Sequence, residues 1–189
     1  MRDAEAILGE AARSMAAVAQ VAGAVETAAA ACARAIRGGG QVFFCGNGGS
    51  SADAQHLAGE FLGRFLKERP AWASTALSAN IAAITAIAND YAYEDIFSRQ
   101  LQGLGRRGDV IIGLSTSGRS ANVLKALKAA REMGVYAIGL TGAAPGPMDE
   151  IADLTIHAPA PATPRIQEMH LVIGHTICEI VEATLVNAQ

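Results

Sequence analysis

The chain has 189 residues, about half of them hydrophobic and 17% charged, with a net charge of −3. That length suits one domain with a sizeable core, the composition excludes a disordered chain, and the slight acidity gives no electrostatic pull toward nucleic acid or anionic lipid. Cys32, Cys45 and Cys178 are odd in number, far apart and without CxxC spacing, which predicts free thiols in a reducing, cytoplasmic setting.

Residues 3–37 are Ala-rich, with Ile7, Leu8, Met15, Val18, Val21 and Val25 at three- and four-residue steps. This predicts one or two helices closed by Gly38-Gly39-Gly40; Glu5 and Glu10 among the alanines argue against a signal peptide. The run 41–45 (QVFFC) is apolar without alternation, as in a strand buried on both faces. After GNGGSS a helix is expected over 52–66, with Ser50 and Asp53 spaced for a capping box. Residues 74–78 form a weaker strand candidate, and 80–88 and 92–104 read as helical. The stretch 71–89 carries no charge, but Ser74, Thr75, Ser78, Asn80 and Thr85 interrupt it, so a core strand and helix are expected, not a membrane span. DVIIGL (109–114) is the clearest buried strand and leads through STSGRS into a helix over 121–133, closed by Gly134. A strand at 135–140, a loop TGAAPGP, a strand at 153–158 and a helix over 165–187 complete the chain. Alternating strands and helices predict a parallel α/β sheet. Ligands in such sheets sit at the carboxyl ends of the strands, where the loops 46–51, 115–120 and 141–147 fall.

Two of those loops carry phosphate and sugar chemistry. In Ser115-Thr116-Ser117-Gly118-Arg119-Ser120 four hydroxyls and several backbone N–H groups converge on the positive end of a helix, a geometry that holds a phosphate group; N-capping by Ser117 or Ser120 would need one hydroxyl only. In Gly46-Asn47-Gly48-Gly49-Ser50-Ser51 the Walker lysine is absent, as is the third dinucleotide glycine. Sugar hydroxyls against Asn47 and the backbone are one reading, and a tight structural turn is the other.

Behind the glycine loop, His56 and Glu60 share a helix face at i, i+4. They suit a metal, an acid–base couple or a plain surface pair. His175 lies in the apolar LVIGHTIC, where a lone histidine is commonly a core residue. Gln167 precedes it by eight residues, about 12 Å of rise on one helix. A common ion would need extended side chains, a helix that begins after Gln167, or a ligand from another subunit. Glu168 and His170 are assigned solvent or supporting contacts, and Asn89-Asp90 turn and capping chemistry. GxSxG, CxxC and HExxH are all missing, which leaves triad hydrolases and zincins without support.

CGNGGSSADAQH, NDYAYEDIFSRQ, LSTSGRSANVLKAL and RIQEMHLVIGH together resemble the phosphoheptose isomerases, a family of the sugar isomerase (SIS) superfamily, over nearly the whole chain. The resemblance implies one SIS domain over 1–189: a three-layer, Rossmann-like or flavodoxin-like parallel sheet flanked by helices. Residues 1–38 would form helices that pack on the domain or on a neighbouring subunit. It implies conversion of sedoheptulose 7-phosphate to D-glycero-D-manno-heptose 7-phosphate, the first step toward nucleotide-activated heptose. Ser115, Thr116, Ser117 and Ser120 would hold the phosphate; Asn47, Gly48, Gly49, Asn89, Asp90 and Gln167 would contact the sugar; Glu60 would be the base and His175 the acid. Zinc, one ion per subunit, would be held by His56, Glu60, Gln167 and His175. The implied assembly is a homotetramer with active sites between subunits. Arg119 departs from the family, whose loop often has Asn there, and Gly59 stands where some relatives carry a second acid. A non-catalytic SIS branch that binds a sugar phosphate or a replication-initiator protein is the alternative. That branch lacks the carboxylate and histidine that this chain has at 60 and 175.

Overall fold

In the computed structural model, which describes residues 3–187, five parallel strands form one sheet. They are β1 (Val42–Gly46), β2 (Ser74–Ala76), β3 (Val110–Leu114), β4 (Tyr136–Gly142) and β5 (Leu154–Ala158), in the order β2-β1-β3-β4-β5. This is the flavodoxin-like order of a doubly wound sheet. The helices are α1 (Ala4–Ala16), α2 (Ala22–Arg37), α3 (Gly49–Leu62), α4 (Ile81–Asp90), α5 (Ser98–Leu104), α6 (Ala121–Met133), α7 (Pro147–Ile151) and α8 (Thr163–Val186). A 3-10 turn at Ala17–Val21 joins α1 to α2, and another at Tyr93–Asp95 precedes α5.

The unbroken apolar strands follow from burial on both sides. Along β1, Phe44 packs with Leu57 and Phe61 of α3 and Ile177 of α8, while Phe43 packs with Phe97, Leu101 and Leu127 on the opposite face. Thus α2, α3 and α8 cover one face and α5, α6 and α7 the other. α1 buries no residue and leaves Ile7 and Leu8 exposed. By length and hydropathy the α1–α2 run and α8 are apolar enough to cross a membrane, yet α8 packs between α2 and α3 and carries a buried, ion-paired Glu182. The three cysteines are free and buried.

Helix α3 departs from expectation at both ends. It begins at Gly49, and its N-cap is Gly48, with no side-chain cap bond. Ser50 and Asp53 therefore sit inside the helix and form no capping box. The helix stops at Leu62, not 66, because the N–H groups of Phe65, Leu66 and Lys67 turn away to the Glu182 carboxylate. The stretch 92–104 breaks into the 3-10 turn and α5, and the TGAAPGP loop runs into α7. Because α8 starts at Thr163, Gln167 and His175 share one helix, and a helix start after Gln167 is ruled out.

Candidate active site

The sheet order sets where ligands bind. α3 leaves β1 toward one face and α6 leaves β3 toward the other, and these two strands are neighbours, with Gly46 opposite Leu114. The crevice between diverging helices at such a switch point is the ligand site of open α/β sheets. The glycine loop and the serine loop flank it.

The glycine loop is short. β1 ends at Gly46, and α3 starts three residues later. Gly48 has φ +57, a left-handed conformation that a side chain would strain. A Cβ on Gly49 would lie 2.6 Å from the Gln167 amide nitrogen, so the glycine is what lets Gln167 of α8 close on this loop. Asn47 is occupied by protein. Its amide exchanges two bonds of 2.8 Å with the buried Asn122 amide, and its oxygen also accepts from the Tyr93 hydroxyl at 3.0 Å. Asn47 therefore ties the glycine loop to the first turn of α6.

The serine loop has its hydroxyls turned toward one another. Ser115, 3% exposed, has its Oγ 2.9 Å from that of Ser120 and 3.4 Å from that of Ser117. Ser120 is the N-cap residue of α6 but makes no side-chain cap bond, so capping does not account for the hydroxyls. Gly118, at φ +64, lets the turn close, with its N–H on the Ser115 carbonyl at 2.9 Å. Thr116 and Ser117 line a cavity of about 390 Å³ with Gly142, Ala143, Pro161 and Ile166. Hydroxyls, the N-terminal turn of α6 and its dipole together suit a dianionic phosphate.

On the other side, three titratable side chains meet. His56 Nε2 lies 2.8 Å from His175 Nε2 and 3.4 Å from Glu60 Oε1, and one donor atom of each residue falls within 4.8 Å of the others. The i, i+4 spacing on α3 supplies two members and α8 the third, all within one chain. No partner subunit is needed to bring these three together. Two imidazole nitrogens and a carboxylate oxygen on one point form a donor set that suits zinc. Gln167 follows the same helix two turns earlier, with its amide against Gly49.

Other predicted residues are placed differently. Asn89 and Asp90 are exposed at the end of α4 and hydrogen-bond each other at 2.9 Å. Glu168 pairs with Arg165 on the surface. His170, expected at solvent or in a supporting contact, is 0% exposed, its Nε2 3.1 Å from the Thr141 carbonyl. Burial drives its imidazole down to about 4, against a smaller opposing effect of that bond. Burial also raises the Asp53 carboxyl, with His56 opposing. Residues that sequence reasoning gave no role are Asn122 and Tyr93. Both lie in motifs quoted above, but only the fold reveals that they share Asn47.

A profile of the SIS domain family matches residues 8–142. The chain is 55% identical over 162 residues to a phosphoheptose isomerase of Rhodospirillum rubrum, covering 86% of each. Among solved structures it resembles phosphoheptose isomerase GmhA from Neisseria gonorrhoeae (38% identity, TM-score 0.89) and a phosphoheptose isomerase from Francisella tularensis (32%, 0.90). Each match covers 95% of this chain and 96% of the other. With a serine-hydroxyl loop at the switch point of a flavodoxin-like sheet and a His–Glu–His cluster between α3 and α8, the chain belongs to the phosphoheptose isomerase family of SIS-domain enzymes.

Proposed function

We propose that the chain, acting as one SIS domain, isomerises sedoheptulose 7-phosphate to D-glycero-D-manno-heptose 7-phosphate, the step that opens the synthesis of nucleotide-activated heptose. The observation that carries this reading is the convergence of His56, Glu60 and His175 between α3 and α8. Moving a carbonyl between C1 and C2 requires a base over the two carbons and an acid at their oxygens. Ser115, Thr116, Ser117 and Ser120 grip the phosphate, and that remote binding fixes the reacting carbons. Glu60 takes a proton from C1 of the ketose to form the enediol and returns it to C2. His175 carries the O1 hydroxyl proton to O2, so protons balance. Gly48, Gly49, Asn89, Asp90 and Gln167 contact the sugar chain, and Asn47 holds the glycine loop for it.

His56, Glu60, Gln167 and His175 are the residues that would hold one zinc ion per subunit; when bound, the ion supplies Lewis-acid polarisation of the sugar oxygens. The assembly is a homotetramer with active sites between subunits, and the exposed Ile7 and Leu8 of α1 support an assembled form. The free buried thiols favour a cytoplasmic setting.

The test is incubation with sedoheptulose 7-phosphate, following the aldose product. Wild type forms it, and Glu60→Gln loses roughly 10²–10⁴-fold in kcat while still binding the sugar phosphate. A Glu60→Gln enzyme at wild-type rate overturns the base assignment. A chelator arm tests the metal: activity lost and restored by zinc supports it, and unchanged activity removes it.

A further inference from the structure

Behind the acid–base cluster, on the side away from the serine loop, lies an ion pair that the reaction does not use. Arg69 Nε donates to Glu182 Oε1 at 2.9 Å, and both side chains are 2% exposed. Glu182 also accepts from the backbone N–H groups of Phe65 (3.0 Å), Leu66 (2.7 Å) and Lys67 (2.8 Å). Burial pushes its carboxyl up, but these three N–H groups and the guanidinium outweigh burial and hold it below the usual range. The remaining guanidinium nitrogens cap the end of α3. Nη2 donates to the Glu60 carbonyl at 2.7 Å, and Nη1 to those of Phe61, Gly63 and Pro70 at 3.0–3.2 Å. The guanidinium plane also rests 3.6 Å from the Trp72 ring centroid.

A surface ion pair would mean little, and a buried one is not by itself a source of stability. The placement of this one is the telling fact. α3 carries His56 and Glu60, and α8 carries His175. Arg69 grips the last carbonyls of α3, including that of Glu60 itself, while Glu182 stands two turns beyond His175 on α8. The loop that Glu182 ties down presents Phe65, whose ring centroid is 5.5 Å from that of His175. Planar, forked Arg can satisfy helix carbonyls and a carboxylate at once, which Lys cannot.

We infer that Arg69 and Glu182 are positioning residues for the reaction: a buried strut that sets the gap between α3 and α8, and thereby the spacing of His56, Glu60 and His175. Neither touches the sugar. This inference rests on the proposed isomerase reading, and its test separates the two.

The variants are Glu182→Gln, Arg69→Lys and the uncharged double Arg69→Met/Glu182→Met. The double removes both charges together, so neither is left buried alone. Each is checked for a cooperative melt above the assay temperature, then measured for kcat and KM on sedoheptulose 7-phosphate and for Zn²⁺ affinity by competition with a chromophoric chelator. The expected result is a fall of roughly 10–100-fold in kcat and in Zn²⁺ affinity, the size seen for partners that orient ligands, with KM within about threefold because the serine loop is held elsewhere. If a single variant does not fold, the double decides. A folded variant with wild-type kcat and Zn²⁺ affinity overturns the strut, as does a KM that rises in step with the loss of kcat, which marks general loosening. Should wild type fail to isomerise the sugar, the reaction assignment falls, and Zn²⁺ affinity alone judges the strut.

Discussion

At the serine loop the chain offers an anion neutral hydroxyls and backbone N–H groups fixed by a turn between β3 and α6. At the His56–Glu60–His175 cluster it offers titratable groups carried by two separate helices, with a buried ion pair behind them. The first arrangement is local, since residues within six positions of one another build it. The second exists only after α3 and α8 have packed. The difference predicts a division of labour, with substrate grip insensitive to the helix gap and turnover dependent on it. A phosphate brings its own charge and needs only donors, whereas proton transfer needs groups whose protonation can change.

The sharpest way to break the comparison is His175→Gln. It should lower kcat by roughly 10²–10⁴-fold, with KM for sedoheptulose 7-phosphate nearly unchanged. Steady-state kinetics read this directly, and a rise in KM without loss of kcat would move His175 to the binding side. Next in size is a pH effect. Burial holds His170 at about 4 against 6.5, so the unfolded chain takes up a proton that the fold refuses. The stability contributed by the neutral ring is full above pH 6.5 and is lost as pH falls toward 4. By pH 5 the loss reaches about 2 kcal/mol. Urea unfolding at pH 7 and pH 5 should show this drop in wild type and a smaller one in His170→Gln. His170 sharpens the contrast because it is a titratable residue on α8 that works uncharged, tying the helix to the Thr141 carbonyl at the end of β4. Of similar size is Ser117→Ala. A hydrogen bond to a charged group contributes about 1.5–3 kcal/mol, so KM should rise at least about tenfold while kcat stays close to wild type.

The same contrast decides what could be read before folding. The serine loop was legible because its hydroxyls are contiguous and follow an unmistakable buried strand. His56 with Glu60 was legible as a helix face, and His175 as an oddity in an apolar run. Their meeting was not, because it forms only when α3 and α8 pack, and the start of α8 at Thr163 removes just one of the geometries open to the Gln167–His175 spacing. The early end of α3 was hidden for a similar reason. Gly63 stands at the C-cap, but one glycine does not fix a helix end, and the carboxylate that takes up the N–H groups of residues 65–67 is Glu182, more than a hundred residues away. The tie between Asn47 and α6 was hidden likewise, because nothing local reveals Asn122, 75 positions on, as the partner of its amide.

That last tie supplies the smallest and most discriminating prediction. Tyr93 is 58% exposed, and its hydroxyl gives Asn47 only its third bond, so Tyr93→Phe removes one partly solvated contact and leaves the Asn47–Asn122 amide pair whole. The expected cost is under about 1 kcal/mol, a melting shift of no more than about 2–4 °C for a chain of this size, with kcat and KM close to wild type. If KM instead rises tenfold or more with the melt unchanged, the Tyr93 hydroxyl touches the sugar itself. The Asn47–Tyr93 corner would then belong to the binding surface, and the line between the local serine loop and the long-range His56–Glu60–His175 cluster would have to be redrawn to include it.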